Sequence, residues 1–211
     1  KMSKKFNNYI LVSMRQLKIK SIDETRDTVD QKLLEWIIEL GFEPFLISNK
    51  LSKKIKLNNI KNICGIILSG GSEKISRLNN RFKVEKKLIN FSIKKKIPIL
   101  GICRGMQMLG FTQGANIKKI KNHVKTRHKL LIEKKYSSLY PLNVNSYHNE
   151  SVENVEEKFN IIAKAKDEVI EAFEHKLYPW LGWMWHPERE KVFNKKNLSL
   201  ARKFFNKKYE N

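Results

Sequence analysis

The chain has 211 residues, with 43 Lys and Arg against 21 Asp and Glu, a formal net charge of +22. That length suits one α/β domain with an adequate core. No apolar run approaches the roughly 20 residues of a membrane span, and two cysteines exclude a disulfide framework.

The start, Lys1-Met2-Ser3-Lys4-Lys5-Phe6, is polar and is expected to carry no leader. Lys1 ahead of Met2 reads as foreign to the native chain. A strand is expected over 9–13, followed by a loop. The segment from Thr28 to Leu40 places Val29, Leu33, Trp36, Ile37 and Leu40 on one helical face, with Gly41 closing it and Pro44 blocking continuation. A second strand is expected over 45–48 and a buried third over 63–68. A helix around 80–96, a strand over 97–100 and a helix over 104–113 follow. From Ile117 to Ile170 the pattern breaks into short strands and hairpins: 129–132, 151–152, 161–165 and, running just beyond, 169–173. Residues 198–209 form a closing amphipathic helix. Alternating βα units predict an α/β fold, one domain over 1–211, with a mostly parallel sheet and helices on both faces. Ligands of such sheets bind outside the strand C-termini.

Three segments carry chemistry. Gly101-Ile102-Cys103-Arg104-Gly105-Met106-Gln107 is Gly-x-Cys-x-Gly between a strand and a helix, the layout of a nucleophile elbow. The glycines allow a turn too tight for flanking side chains. The turn aims backbone N–H groups and a helix N-terminus at the thiol. Alone, the motif fits a buried structural cysteine equally well. Trp183-Met184-Trp185-His186-Pro187-Glu188 puts a base and a carboxylate two residues apart, so that they point the same way on an extended segment. Cys103, His186 and Glu188 would then be nucleophile, base and orienter. Ser69-Gly70-Gly71-Ser72 ends the strand 63–68 and lets backbone donors approach a ligand, although by itself Gly-Gly is an ordinary turn.

With these three motifs in this order, the chain resembles the class I, triad-type glutamine amidotransferase superfamily, roughly from Tyr9 to Glu188. The resemblance implies a flavodoxin-like core and a cytoplasmic enzyme that needs no cofactor. It implies an oxyanion hole from the backbone of Gly71 and Arg104 beside Gly70, and contact of Gln107 with a glutamyl head group. Asn145-Ser146-Tyr147-His148-Asn149 is similar to the family's loop that holds the α-amino and α-carboxylate groups, with Tyr147 and His148 as the contacts. That loop also reads as a plain solvated turn. The segment Ser13 to Gln31 is more similar to the stand-alone γ-glutamyl hydrolase branch than to the glutaminase partners of synthetases, and more narrowly to γ-glutamyl-CDP-amidate hydrolases of capsule phosphoramidate synthesis. Arg15 and Arg26 would there meet phosphates. Surface ion pairs with Asp23, Glu24 or Asp27 are the competing role for both arginines. If the chain is instead a glutaminase of an amidotransferase, its ammonia would pass to a separate synthetase partner.

Two departures stand out. The long side chain of Arg104 after the nucleophile is expected to shape the leaving-group side, and Arg189-Glu190-Lys191 adds charge near the site. The lysines are scattered, at 50–61, 94–96, 118–121 and 207–208, and no nucleic-acid-binding motif accompanies them. They are expected to form a solvated surface whose field attracts an anionic small molecule; a basic nucleic-acid binder on an inactive amidase fold is the alternative of another class. The linear spacing of the five histidines predicts no metal site.

Overall fold

The structure is a computed structural model. It describes residues 8–51 and 56–207, so Lys1, the expected leaderless start, Lys208 and the end of the closing helix at Tyr209 lie outside the described residues. The elements in chain order are β1 (Tyr9–Ser13), β2 (Arg15–Ile19), β3 (Glu24–Thr28), α1 (Gln31–Glu39), β4 (Glu43–Ile47), β5 (Ile63–Leu68), α2 (Asn80–Lys95), β6 (Ile99–Ile102), α3 (Arg104–Thr112), β7 (Asn116–Lys119), β8 (Val124–Lys129), β9 (Leu131–Ile132), β10 (Asn143–Tyr147), β11 (Glu150–Glu153), β12 (Phe159–Lys164), β13 (Ile170–His175), β14 (Trp180–Trp183) and α4 (Lys195–Asn206).

One eight-stranded sheet runs β4-β1-β5-β6-β14-β13-β12-β9. The strands from β4 to β14 pair in parallel; β13, β12 and β9 extend the sheet antiparallel. Side chains alternate across it. Ile10, Val12, Ile67, Leu100 and Ile102 face α1 and α4, where Trp36, Ile37 and Phe205 close one core. Leu11, Ile66, Leu68 and Ile99 face α2 and α3, where Leu88, Ile89, Met106 and Leu109 close the other. Two layers of helix around a mostly parallel sheet is the fold class expected.

Several boundaries differ for physical reasons. Helix α1 starts at Gln31, not Thr28, because the Asp30 side chain accepts from Lys32 N–H at 3.1 Å and caps it. Thr28 belongs to β3, and the expected loop after β1 is an antiparallel ribbon, with Arg15 opposite Thr28 and Ile19 opposite Glu24. Pro44 sits inside β4 rather than ahead of it. The strand expected over 97–100 lies two residues later, because Gly101 and Ile102 pair with Gly182 and Trp183 of β14. Helix α4 starts three residues earlier than expected, at Lys195, where Asn194 accepts from Lys196 and Asn197. Among the described residues no helix is long and apolar enough to cross a membrane.

Candidate active site

The nucleophile elbow forms where β6 meets α3. Cys103 has φ 50° and ψ −107°, a conformation an L-residue holds only under constraint. Its N–H donates to Trp183 O at 2.7 Å and its carbonyl accepts from Gln107 N–H at 3.1 Å, which fixes the turn from both sides. A Cβ on Gly105 would stand 1.9 Å from the carbonyl oxygen of Leu68, and one on Gly101 would stand 2.6 Å from the backbone of Gly105. The two flanking glycines are therefore required by contact with backbone.

His186 follows β14, the neighbour of β6, and brings the base to the thiol. Its Nδ1 lies 2.6 Å from Glu188 Oε1, and both side chains are buried. Burial alone pushes the imidazole pKa down. The charge of Glu188, then hydrogen bonding to Cys103 and to Glu188, lift it to about 9. His186 is thus an imidazolium through neutral pH. Asn145 on β10 holds its backbone, donating from Nδ2 to His186 O at 2.7 Å and accepting at Oδ1 from His186 N–H at 3.0 Å.

The Ser69–Ser72 turn ends β5 above the same cavity. Arg81 on α2 ties it down, donating from Nη2 to Ser69 O at 2.6 Å and to Gly70 O at 3.1 Å. Arg81 is itself paired with Glu85 at 2.8 Å and Glu73 at 2.8 Å. Arg104 donates to the same Glu85 at 2.7 Å and to Glu73 O at 2.8 Å. Desolvation would raise the Glu85 carboxyl; the two guanidinium groups outweigh it and hold it below the usual range.

A cavity of about 250 Å³ opens over Cys103, lined among others by Gly71, Gln107, Tyr147, His186, Arg15 and Arg189. Two expected roles change. The Arg104 side chain is 1% exposed and turned into the Arg81–Glu85 network, so it does not shape the leaving-group side; only its backbone remains for an oxyanion. Arg26 pairs with Glu24 at 2.6 Å on the exposed ribbon and is absent from the cavity lining. Arg15 lines the cavity and donates to Gly70 O at 3.1 Å. Gly70 lies against the ring of His186, and Gln107 donates to Glu150 O at 2.9 Å. His148 borders the cavity, but its ring is engaged elsewhere: Nδ1 lies 3.0 Å from Glu150 O and Nε2 faces Glu171 at 3.4 Å. Tyr147 is 40% exposed, with the Arg189 guanidinium 4.9 Å from its ring centre and His186 edge-on at 6.0 Å.

Sequence reasoning missed Arg81 and Glu85, although their four-residue spacing on a helix is a legible ion-pair signal. It also missed the clamp by Asn145, whose only sequence sign is its place in the loop already singled out. The histidines, unpromising by linear spacing, are brought together by the fold. His123, His128, His148 and Glu171 offer ligand atoms that all lie within 4.8 Å of one another.

Known proteins identify the family. The family model for glutamine amidotransferase class-I matches residues 22–207. The chain is 34% identical over 170 residues to a γ-glutamyl-CDP-amidate hydrolase of Campylobacter jejuni subsp. jejuni serotype O:2, covering 78% of this chain and 80% of that protein. It is 30% identical over 180 residues to component 2 of the anthranilate synthase of Saccharolobus solfataricus, covering 79% of this chain and 88% of the relative. The crystal structure of a glutamine amidotransferase from Thermotoga maritima shares the fold at a TM-score of 0.67 with 19% identity, over 92% of this chain and 82% of that one. An elbow cysteine, a histidine–glutamate pair following the adjacent strand and a family match over most of the length lead to one conclusion: the chain belongs to the class-I glutamine amidotransferase family.

Proposed function

We propose that this protein hydrolyses a γ-glutamyl amide through a γ-glutamyl thioester, and that the leaving amine carries phosphate. The observation that carries this reading is the placement of Cys103 beside a buried His186–Glu188 pair, in a cavity whose rim presents Arg15 and Arg189.

The thiolate of Cys103 attacks the γ-carbonyl, and the carbon–sulfur bond forms as the carbonyl electrons move to oxygen. Backbone N–H groups of Gly71 and Arg104 receive the oxyanion; one such donor contributes about 10²–10³-fold. The imidazolium of His186 gives its proton to the departing nitrogen as the carbon–nitrogen bond breaks. Neutral His186 then takes a proton from water, which attacks the thioester, releases glutamate and restores the Cys103 thiolate beside the imidazolium. Glu188 keeps the ring oriented throughout. Gln107 and Tyr147 face the glutamyl group.

The leaving group is read from the rim. A guanidinium pairs with phosphate through two parallel hydrogen bonds. The 34% identity to a γ-glutamyl-CDP-amidate hydrolase supports a nucleotide-linked phosphoramidate. A second reading, a glutaminase that passes ammonia to a separate synthetase, draws on the 30% identity to one component of an anthranilate synthase.

The test is glutamate release from glutamine, a simple γ-glutamyl amine and a γ-glutamyl nucleotide phosphoramidate, with Cys103→Ala as control. Preference for the nucleotide substrate is expected. Efficient turnover of glutamine, or activity only with an added synthetase, would move the assignment to the ammonia-delivering reading.

A further inference from the structure

Glu171 on β13 is fully buried, yet neither of its carboxylate oxygens makes a hydrogen bond among the described residues. A buried carboxylate without compensation is strongly unfavourable, so a positive charge belongs beside it. What faces it is three imidazoles from separate segments: His123 in the turn before β8, His128 within β8, and His148 directly after β10. Their nitrogens approach the same oxygen, Glu171 Oε1, at 3.4 Å from His123 Nδ1, 3.4 Å from His148 Nε2 and 3.8 Å from His128 Nε2. None of these three nitrogens has a hydrogen-bond partner among the described residues.

The spacing distinguishes two ways of supplying the charge. A protonated imidazole would donate to the carboxylate at about 2.7–2.9 Å, shorter than any of the three contacts. Four ligand atoms around one ion behave otherwise. Arms of about 2.0–2.2 Å give a tetrahedron with edges of about 3.3–3.6 Å, which matches two of the three contacts to Glu171 Oε1; the remaining separations, all within 4.8 Å, shorten when an ion is bound.

The far sides of the rings agree. His123 Nε2 lies 2.8 Å from the Asp167 carboxylate, and His148 Nδ1 lies 3.0 Å from the Glu150 carbonyl. With the proton on those nitrogens, each ring turns a lone pair toward Glu171, the arrangement that fixes the tautomer of a metal-bound histidine.

We infer that His123, His128, His148 and Glu171 form a closed, four-coordinate site for a divalent transition-metal ion, zinc by the chemistry of its ligands. Imidazole nitrogens with one carboxylate select such ions over magnesium or calcium. Four protein ligands and little exposure leave no position for substrate, so the ion ties segments together and does not enter the thiol chemistry. It joins β8 and the end of β10 to β13, and β10 carries both Asn145, which clamps His186, and Tyr147 on the cavity rim. This inference is independent of the identity of the leaving group.

The test uses the full chain free of any histidine tag, stripped with a chelator and titrated with zinc alone. One zinc per chain and a rise in Tm on zinc addition are expected, and cobalt in its place should give the visible bands of four-coordinate nitrogen and oxygen ligation. Asp167 is exposed, so Asp167→Asn should fold and weaken zinc about 10–100-fold. His128→Gln, at the least buried ligand, should weaken it by more than Asp167→Asn does. Less than one zinc per ten chains after loading, or zinc bound by His128→Gln as tightly as by the parent, would overturn the site and leave a cluster neutralised by protons.

Discussion

The side-chain amide of Asn145 spans the backbone of His186, giving one hydrogen bond to its carbonyl at 2.7 Å and taking one from its N–H at 3.0 Å. A base placed beyond the end of a strand would otherwise depend on a free loop for its position. The clamp makes the ring's origin as fixed as the sheet.

Removing that clamp should misplace the base without touching substrate. Asn145→Ala is expected to lower kcat by about 10–100-fold with KM little changed, and to cost about 1–3 kcal/mol of stability because the buried His186 N–H loses its partner while the carbonyl keeps only the Arg189 N–H at 3.1 Å. Steady-state kinetics and denaturant unfolding measure both.

The raised pKa of His186 sets the alkaline limb of activity. Its proton is the one given to the leaving nitrogen, so kcat/KM should fall as pH rises through about 9. In Glu188→Gln the lifting charge is gone and the limb should move to lower pH. Stability follows the same sign. The folded value lies above the ordinary 6.5, so the pair's contribution is complete below 6.5 and is lost as pH rises through about 9. A pH–rate profile, with thermal melts in acid and in alkali on either side of that window, checks the two together.

Gly70 lies against the His186 ring. A Cβ there would stand 2.5 Å from His186 Cε1. The ring is held by Glu188 and its backbone by Asn145, so it must shift as a unit. Gly70→Ala should reduce kcat/KM by about 100-fold, the usual effect of a displacement near 1 Å, and lower the melting temperature through overpacking that costs about 1–3 kcal/mol.

Glu85 is shared by two buried guanidinium groups, Arg81 at 2.8 Å and Arg104 at 2.7 Å. Glu85→Gln leaves both cations undercompensated and should destabilise the fold by about 3–5 kcal/mol. Activity should fall with it, because Arg81 holds the carbonyls of Ser69 and Gly70. Chemical denaturation followed by intrinsic tryptophan fluorescence gives the first quantity.

The juxtaposition of Cys103, His186 and Glu188 was legible because each of its parts is local. Gly101 and Gly105 announce a turn that no other residue fits, and His186-Pro187-Glu188 places two side chains on one side by spacing alone. What stayed hidden was made by long-range pairing or by exposed chain. The ribbon of β2 and β3 is polar and mostly solvent-facing, so Arg15–Ile19 shows little alternation to read. Arg104 follows the nucleophile in sequence, yet its side chain is fixed by Glu85, nineteen residues away. The histidine cluster draws on residues 123, 128, 148 and 171, which share no periodicity. It exists because β8 pairs with β10 and the return from β10 passes beside β13.

The nucleophile and its base descend from neighbouring strands locked in register, Gly101 beside Gly182 and Ile102 beside Trp183. The rim of the cavity comes from elsewhere, from the ribbon after β1, the end of β10 and the turn after His186. The rim is nonetheless tied to the base, through Arg15 on Gly70, which lies against the imidazole, and through Asn145 on the His186 backbone. Rebuilding the rim therefore reaches the imidazole before it reaches the thiol, which the register of β6 against β14 holds.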